Sequence, residues 1–141
     1  MAGEIKLSAE EVLKIHVQCE DSMDVKDSRD GYLAVIPIVS GTFEGKISGK
    51  IVPGGADWST RQKNGAHVFA KYLLQADNGE YIAIENEGFL GNGQDPCIKT
   101  VPKFKADENG AYAWLNYGVY VGKLEAGEKP WQVEITVFRL N

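Results

Sequence analysis

The chain has 141 residues, 43% of them hydrophobic and 25% charged, with a formal net charge of −5. That length suits one domain around one core, and the composition is that of a globular protein. The negative balance offers no basic stripe to a nucleic-acid backbone, and no apolar run approaches the roughly 18 residues of a membrane-spanning helix.

In chain order, the opening Met1-Ala2-Gly3-Glu4-Ile5-Lys6 lacks the basic-then-apolar pattern of a secretory leader. Residues 1–30 carry eight acids and four bases, hence most of the net charge. Residues 12–20 alternate, with Leu13, Ile15, Val17 and Cys19 opposite Lys14, His16, Gln18 and Glu20, which predicts a half-buried strand. Residues 21–31 read as a polar loop with room for a helical turn. Tyr32 to Val39 is a nearly continuous apolar run, and Pro37 inside it points to an edge or a bulge. Phe43 to Val52 alternates as one strand, with Gly45 and Gly49 on the apolar face, where small barrels bend. Pro53-Gly54-Gly55 is expected to end that strand, leaving residues 59–65 as loop.

Ala66–Ala76 and Glu80–Gly88 form a hairpin about Asp77-Asn78-Gly79, because Asn-Gly accepts the positive φ of a tight turn. A Gly- and Asn-rich loop with Pro96 occupies residues 89–98, and Lys99–Phe104 is a short strand. A turn at Asp107–Gly110 leads into an expected strand Ala111–Val121. A last turn precedes the strand Trp131–Leu140, where Trp131, Val133, Ile135 and Val137 oppose Gln132, Glu134 and Thr136. Eight to ten short strands without a long helix predict a single all-β domain over residues 1–141. Sequential hairpins make it an antiparallel meander, and closure into a β-barrel leaves no exposed edge.

Two aromatic-polar clusters stand out, Gly54-Gly55-Ala56-Asp57-Trp58 and Tyr112-Ala113-Trp114-Leu115-Asn116. A carboxylate held against an indole at a barrel mouth loses water, which raises its pKa and suits Asp57 to acid or base work. The bland alternative is a turn Asp bonded to backbone amides. Asn86 shares a strand face with Ile82 and Ile84, and a buried amide needs a hydrogen-bond partner. Tyr72 shares the facing row with Val68, Ala70 and Leu74. Tyr112, Trp114 and Asn116 alternate, so as a strand they project to one side. Their opposite row is apolar too, which would ask for cover by a loop or a second subunit and leaves a homo-oligomer open.

Other chemistry finds little support. His16 and His67 lie on polar faces without acids or thiols at ligand spacing, so no metal is expected. Cys19 and Cys97 read as free thiols of a reducing compartment, and a cytoplasmic location is expected. No Gly-x-Ser-x-Gly is present, and Gly88-Phe89-Leu90-Gly91-Asn92-Gly93 lacks the Lys-Ser/Thr pair of a phosphate loop. Lys103 reads as a surface residue.

Gly45-Lys-Ile-Ser-Gly-Lys-Ile-Val-Pro-Gly-Gly-Ala-Asp-Trp58, Ile84-Glu-Asn-Glu-Gly88, Thr100-Val-Pro-Lys-Phe104 and Tyr112-Ala-Trp-Leu-Asn116 occur here in order. Over about residues 30–140 this resembles the family known as domain of unknown function 3237, or uncharacterised protein family 0311. The resemblance implies a small antiparallel β-barrel, calycin-like in the broad sense, and brings no general activity.

The leading expectation is a cavity at one barrel end that binds a small apolar or aromatic molecule without a cofactor. Trp58 and Trp114 would supply stacking surface, while Tyr72, Asn86, Tyr112 and Asn116 would complete the ligand site. The alternative is a cofactor-independent isomerase, cyclase or lyase with Asp57 as general acid or base. A filled barrel acting as a structural or dimerising protein is the third. A void, or its absence, separates the third from the other two.

Overall fold

The computed structural model describes residues 3–93 and 97–141; the centre of the expected loop 89–98, with Pro96, lies outside them. Nine strands follow one another: β1 (Ala9–Cys19), β2 (Met23–Ser28), β3 (Gly31–Gly45), β4 (Gly49–Gln62) and β5 (Gly65–Ala76), then β6 (Tyr81–Gly91), β7 (Ile98–Lys105), β8 (Val119–Ala126) and β9 (Gln132–Leu140). Each pairs antiparallel with its neighbours in the order β1-β9-β8-β7-β6-β5-β4-β3-β2, and β1 also pairs with β3. That last pairing closes an eight-stranded barrel and leaves β2 as an extra strand on β3.

Strand β3 serves two partners in turn. Its first residues pair with β2 and its later ones, from Ile38 to Gly45, with β1. The change of partner falls at Pro37, a residue with no N–H to give to a ladder. Its carbonyl still accepts the Glu20 N–H at 3.0 Å.

Several expected boundaries differ. The polar stretch 21–31 contains β2, whose residues are mostly exposed. With no buried face it has no alternation to read, and the hydrogen bonds offered by β3 create it. Phe43–Val52 is the β3–β4 hairpin rather than one strand. Ile47 sits in its turn yet is only 3% exposed. The turn thus points one apolar side chain at the core and mimics unbroken alternation. Pro53-Gly54-Gly55 does not end β4. Val52 pairs with Leu73 and Ala56 with Lys71, so the segment bulges by an even number of residues and Ile51 and Asp57 keep the same facing. Gly55 is required there: a Cβ would stand 2.4 Å from Tyr72 Cβ. Finally, Ala113–Asn116 is a 3₁₀ turn, not a strand.

The interior divides in two. Toward the β5–β6 turn it is filled by Leu13, Ile15, Leu74, Ile82, Ile84 and Val137, all fully buried, and by Leu115 of the 3₁₀ turn. Each such side chain contributes about 1.5–3 kcal/mol of hydrophobic stabilisation. Phe104 and Tyr120 meet edge to face at 5.3 Å in this half. Toward the other end Val17, Val68 and Ala70 are among the inward residues around a small unfilled space, while Gly88 and Gly122 let neighbours pack close, since a Cβ would stand 2.9 Å from the Lys99 carbonyl oxygen and 2.4 Å from Thr100 Oγ1. Among the described residues, no helix is long and apolar enough to cross a membrane.

Candidate functional site

Residues paired across an antiparallel ladder face the same side. Asp57 pairs with Ala70, Ala70 with Asn86, and Asn86 with Pro102. Asp57 and Asn86 therefore flank Ala70 at one level of the inner wall. Tyr72 is the next inward residue of β5 and Thr100 that of β7. With Cys19 from the end of β1 they line a hollow of about 50 Å³. That is room for water molecules or one functional group.

Three polar atoms of the hollow meet no hydrogen-bond partner within the protein. The Tyr72 hydroxyl, the Asn86 Oδ1 and the Thr100 Oγ1 are buried without a hydrogen-bond partner. Leaving such an atom unpaired costs about 1–3 kcal/mol, and native proteins hold few of them. Gly122 packs close to two of them. A Cβ there would lie 2.4 Å from Thr100 Oγ1 and 3.6 Å from Asn86 Oδ1.

Asp57 accepts the Phe69 N–H at 3.2 Å. Burial raises its carboxyl above the usual carboxylate range, against that hydrogen bond and the charge of His67. Burial, with the charge of Asp57, pushes the Cys19 thiol up to about 11. Burial, with Cys19 and Asp57, also pushes the Tyr72 phenol up. The thiol and phenol are thus proton-bearing groups at neutral pH. The wall can donate through Tyr72 and Thr100, accept through Asn86, and exchange a proton through Asp57.

The structure brings Asp57, Tyr72 and Asn86 together and leaves the other sequence candidates elsewhere. Trp58 is on the outer face, 51% exposed, between Val35 and Phe69 in the ladder. Adjacent residues of a strand point to opposite faces, so Asp57 and Trp58 cannot share a cavity. Tyr112 and Trp114 pack against the filled half of the core. A 3₁₀ turn has three residues per turn, so Tyr112, Trp114 and Asn116 do not form one row. Asn116 is a clip: it accepts from the Ala106 N–H at 2.7 Å and donates to the Ala106 carbonyl and Glu108. Thr100 and Cys19 line the hollow in addition to the sequence candidates. Alternation of Thr100 with Pro102 and Phe104 was the signal for the first, and the apolar row of β1 for the second.

The histidines lie outside the barrel. His16 bridges Glu44 of β3, at 2.9 Å, and Glu134 of β9. His67 bonds Glu87 at 2.7 Å and stacks on Phe89. Among the described residues no group of three His, Cys, Asp or Glu is arranged to hold a metal ion.

The chain belongs to the family described as Protein of unknown function (DUF3237), whose model matches residues 7–140. It is 28% identical over 131 residues to a UPF0311 protein of Bradyrhizobium diazoefficiens, covering 82% of this chain and 86% of the relative. A beta-barrel like protein from Acinetobacter baumannii superposes with a TM-score of 0.85 at 27% identity, covering 100% of both chains. An enzyme from Penicillium herquei superposes with a TM-score of 0.77 at 17% identity, covering 99% of both, a likeness of fold alone.

Proposed function

We propose that this chain takes up a small, mostly apolar molecule bearing a hydrogen-bond donor and holds its polar end inside the barrel. Asp57, Tyr72, Asn86 and Thr100 would form the wall that receives it. The observation that carries this reading is the set of three buried, unpartnered polar atoms around one hollow. A filled structural barrel gains nothing from such atoms, whereas a ligand that pairs with them recovers their cost.

A second reading is supported by Asp57 itself. Burial raises its carboxyl against the Phe69 hydrogen bond and the charge of His67, the direction that suits a carboxyl to proton transfer. In a cofactor-independent isomerisation, cyclisation or elimination, Asp57 would move the proton. The Tyr72 and Thr100 hydroxyls would donate to the oxygen that gains charge.

Native mass spectrometry of the protein purified from its own host tests the first reading. A co-purifying small molecule is expected in the wild type and absent from Gly122→Ala, whose new methyl would stand 2.4 Å from Thr100 Oγ1 and so displace a hydroxyl that lines the hollow. Wild type and Gly122→Ala that behave alike toward host metabolite extracts would remove the reading. Asp57→Asn separates the two: a modest loss of affinity marks a carrier, whereas retained binding with lost turnover marks an enzyme.

A further inference from the structure

The inner wall does not end at Asp57. Strands β3 and β4 run on past the last complete ring of the barrel, and their register there is unbroken. Ile38 faces Gly55, Ile36 faces Asp57, Ala34 faces Ser59 and Tyr32 faces Arg61. Ile36, Ala34, Tyr32, Ser59 and Arg61 therefore continue the face that carries Asp57. Strand β2 widens this apron along the edge of β3 and sets Asp24 beside Ala34. With Trp131, these residues line a groove of about 550 Å³, a usual size for a small-molecule site.

Trp131 is held there at a cost. It precedes β9, and its carbonyl accepts the Cys19 N–H at 2.9 Å, which ties it to the rim of the hollow. Its φ is +63°, in the left-handed region that costs a residue with a Cβ about 1–2 kcal/mol. Lys26, at +74°, is the other such residue among those described, and it lies at the bulge of β2. Strained backbone thus sits on two elements that frame this groove. The indole remains 41% exposed. Asp24 is already satisfied, accepting from the Ser22 hydroxyl at 2.7 Å and the Tyr32 hydroxyl at 3.1 Å, so it asks for no ligand cation.

Volume and polarity divide the work. The hollow admits a functional group and presents an unpaired acceptor, Asn86 Oδ1; the groove admits a ring system and presents the aromatic and aliphatic surface of Trp131, Tyr32, Ala34 and Ile36, with Ser59 and Arg61 beside it. We infer that the groove is the larger of two subsites for one ligand. A flat aromatic or conjugated body rests against Trp131 and Ile36, and a hydroxyl or N–H at its leading end enters the hollow and donates to Asn86. This inference rests on the reading of the barrel interior as a ligand site.

The test uses two probes, 2-naphthol and 2-methoxynaphthalene, which share a flat body but differ in the donor. Their binding is measured by isothermal titration calorimetry to wild type, Trp131→Gly, Trp131→Phe and Asn86→Leu, each first checked for a cooperative thermal melt. Glycine adopts the +63° backbone without strain, so Trp131→Gly removes the indole and not the conformation. Wild type is expected to prefer the naphthol by about tenfold. Trp131→Gly should weaken both probes about tenfold, and Trp131→Phe should recover most of that. Asn86→Leu should erase the preference and leave the methoxy compound bound. Unchanged binding in Trp131→Gly, with the preference still erased in Asn86→Leu, would overturn the groove and spare the interior site. Weakening by Trp131→Gly with no preference for the donor would overturn the link between the subsites and the interior reading with it. Failure of both probes to bind would overturn both.

Discussion

Replacing Asn86 with Leu should make this protein more stable. Asn86 is 2% exposed, and its Oδ1 has no partner. Leucine has the same branching and number of side-chain heavy atoms, so it fits the site, and the hollow of about 50 Å³ absorbs the small difference in bulk. Removing one unpaired buried acceptor relieves about 1–3 kcal/mol, and the two methyls gain contact with Ile84 and Leu124, neighbours on the same inner surface. Against this stands whatever the amide N–H group gives up. The balance is a gain of about 1–2 kcal/mol, or a rise in Tm of about 3–7 °C for a domain of this size. Urea denaturation should show a higher midpoint with an unchanged m-value, since the surface exposed on unfolding is the same. On the proposed reading of the barrel interior, the variant should meanwhile lose its preference for the naphthol probe. A loss of about 2 kcal/mol or more would refute the reasoning. It would mean that Asn86 is tied into a satisfied network of protein and internal water, and that its presence is structural.

Asp57→Asn should keep the Phe69 N–H bond through its amide oxygen and should not destabilise the fold at neutral pH. The native state holds the Asp57 proton more tightly than the unfolded state does, so ionisation of Asp57 costs stability as pH rises from the ordinary carboxylate range through its raised native value. Urea midpoints of the two proteins should coincide at low pH and diverge, variant higher, as pH rises through that window. His16 has the opposite partnership. Its hydrogen bond to Glu44, with Glu134, raises it above 6.5 against the opposing effect of burial. Its contribution is complete below the unfolded value and is lost as pH rises through the native one; a His16→Gln protein should lack that decline in a pH series of melts. Asn116→Ala should cost about 1–3 kcal/mol by freeing the Ala106 backbone groups, yet leave probe binding in the barrel unchanged in calorimetry. Altered binding there would revive Asn116 as a ligand residue.

Period-two alternation made much of the barrel legible. The rows Leu13-Ile15-Val17-Cys19, Val68-Ala70-Tyr72-Leu74 and Ile82-Ile84-Asn86 all face inward as the pattern requires. Asn-Gly at 78–79 likewise marks a hairpin because the turn is local chemistry. Asn86 and Tyr72 were readable as one neighbourhood for the same reason: the short turn Asp77-Asn78-Gly79 fixes the register between their strands. Tertiary structure alone decided the rest. β2 has no buried face, so only the edge offered by β3 makes it a strand. The Tyr112–Asn116 row dissolves because the β7–β8 connection must fold Leu115 into the core. Trp58 looked like a partner of Asp57 because it is adjacent in the chain, and adjacency in a strand is what separates their side chains. The meeting of Cys19, Asp57, Asn86 and Thr100 depends on closure of β1 onto β3, a contact between distant segments that no local pattern encodes.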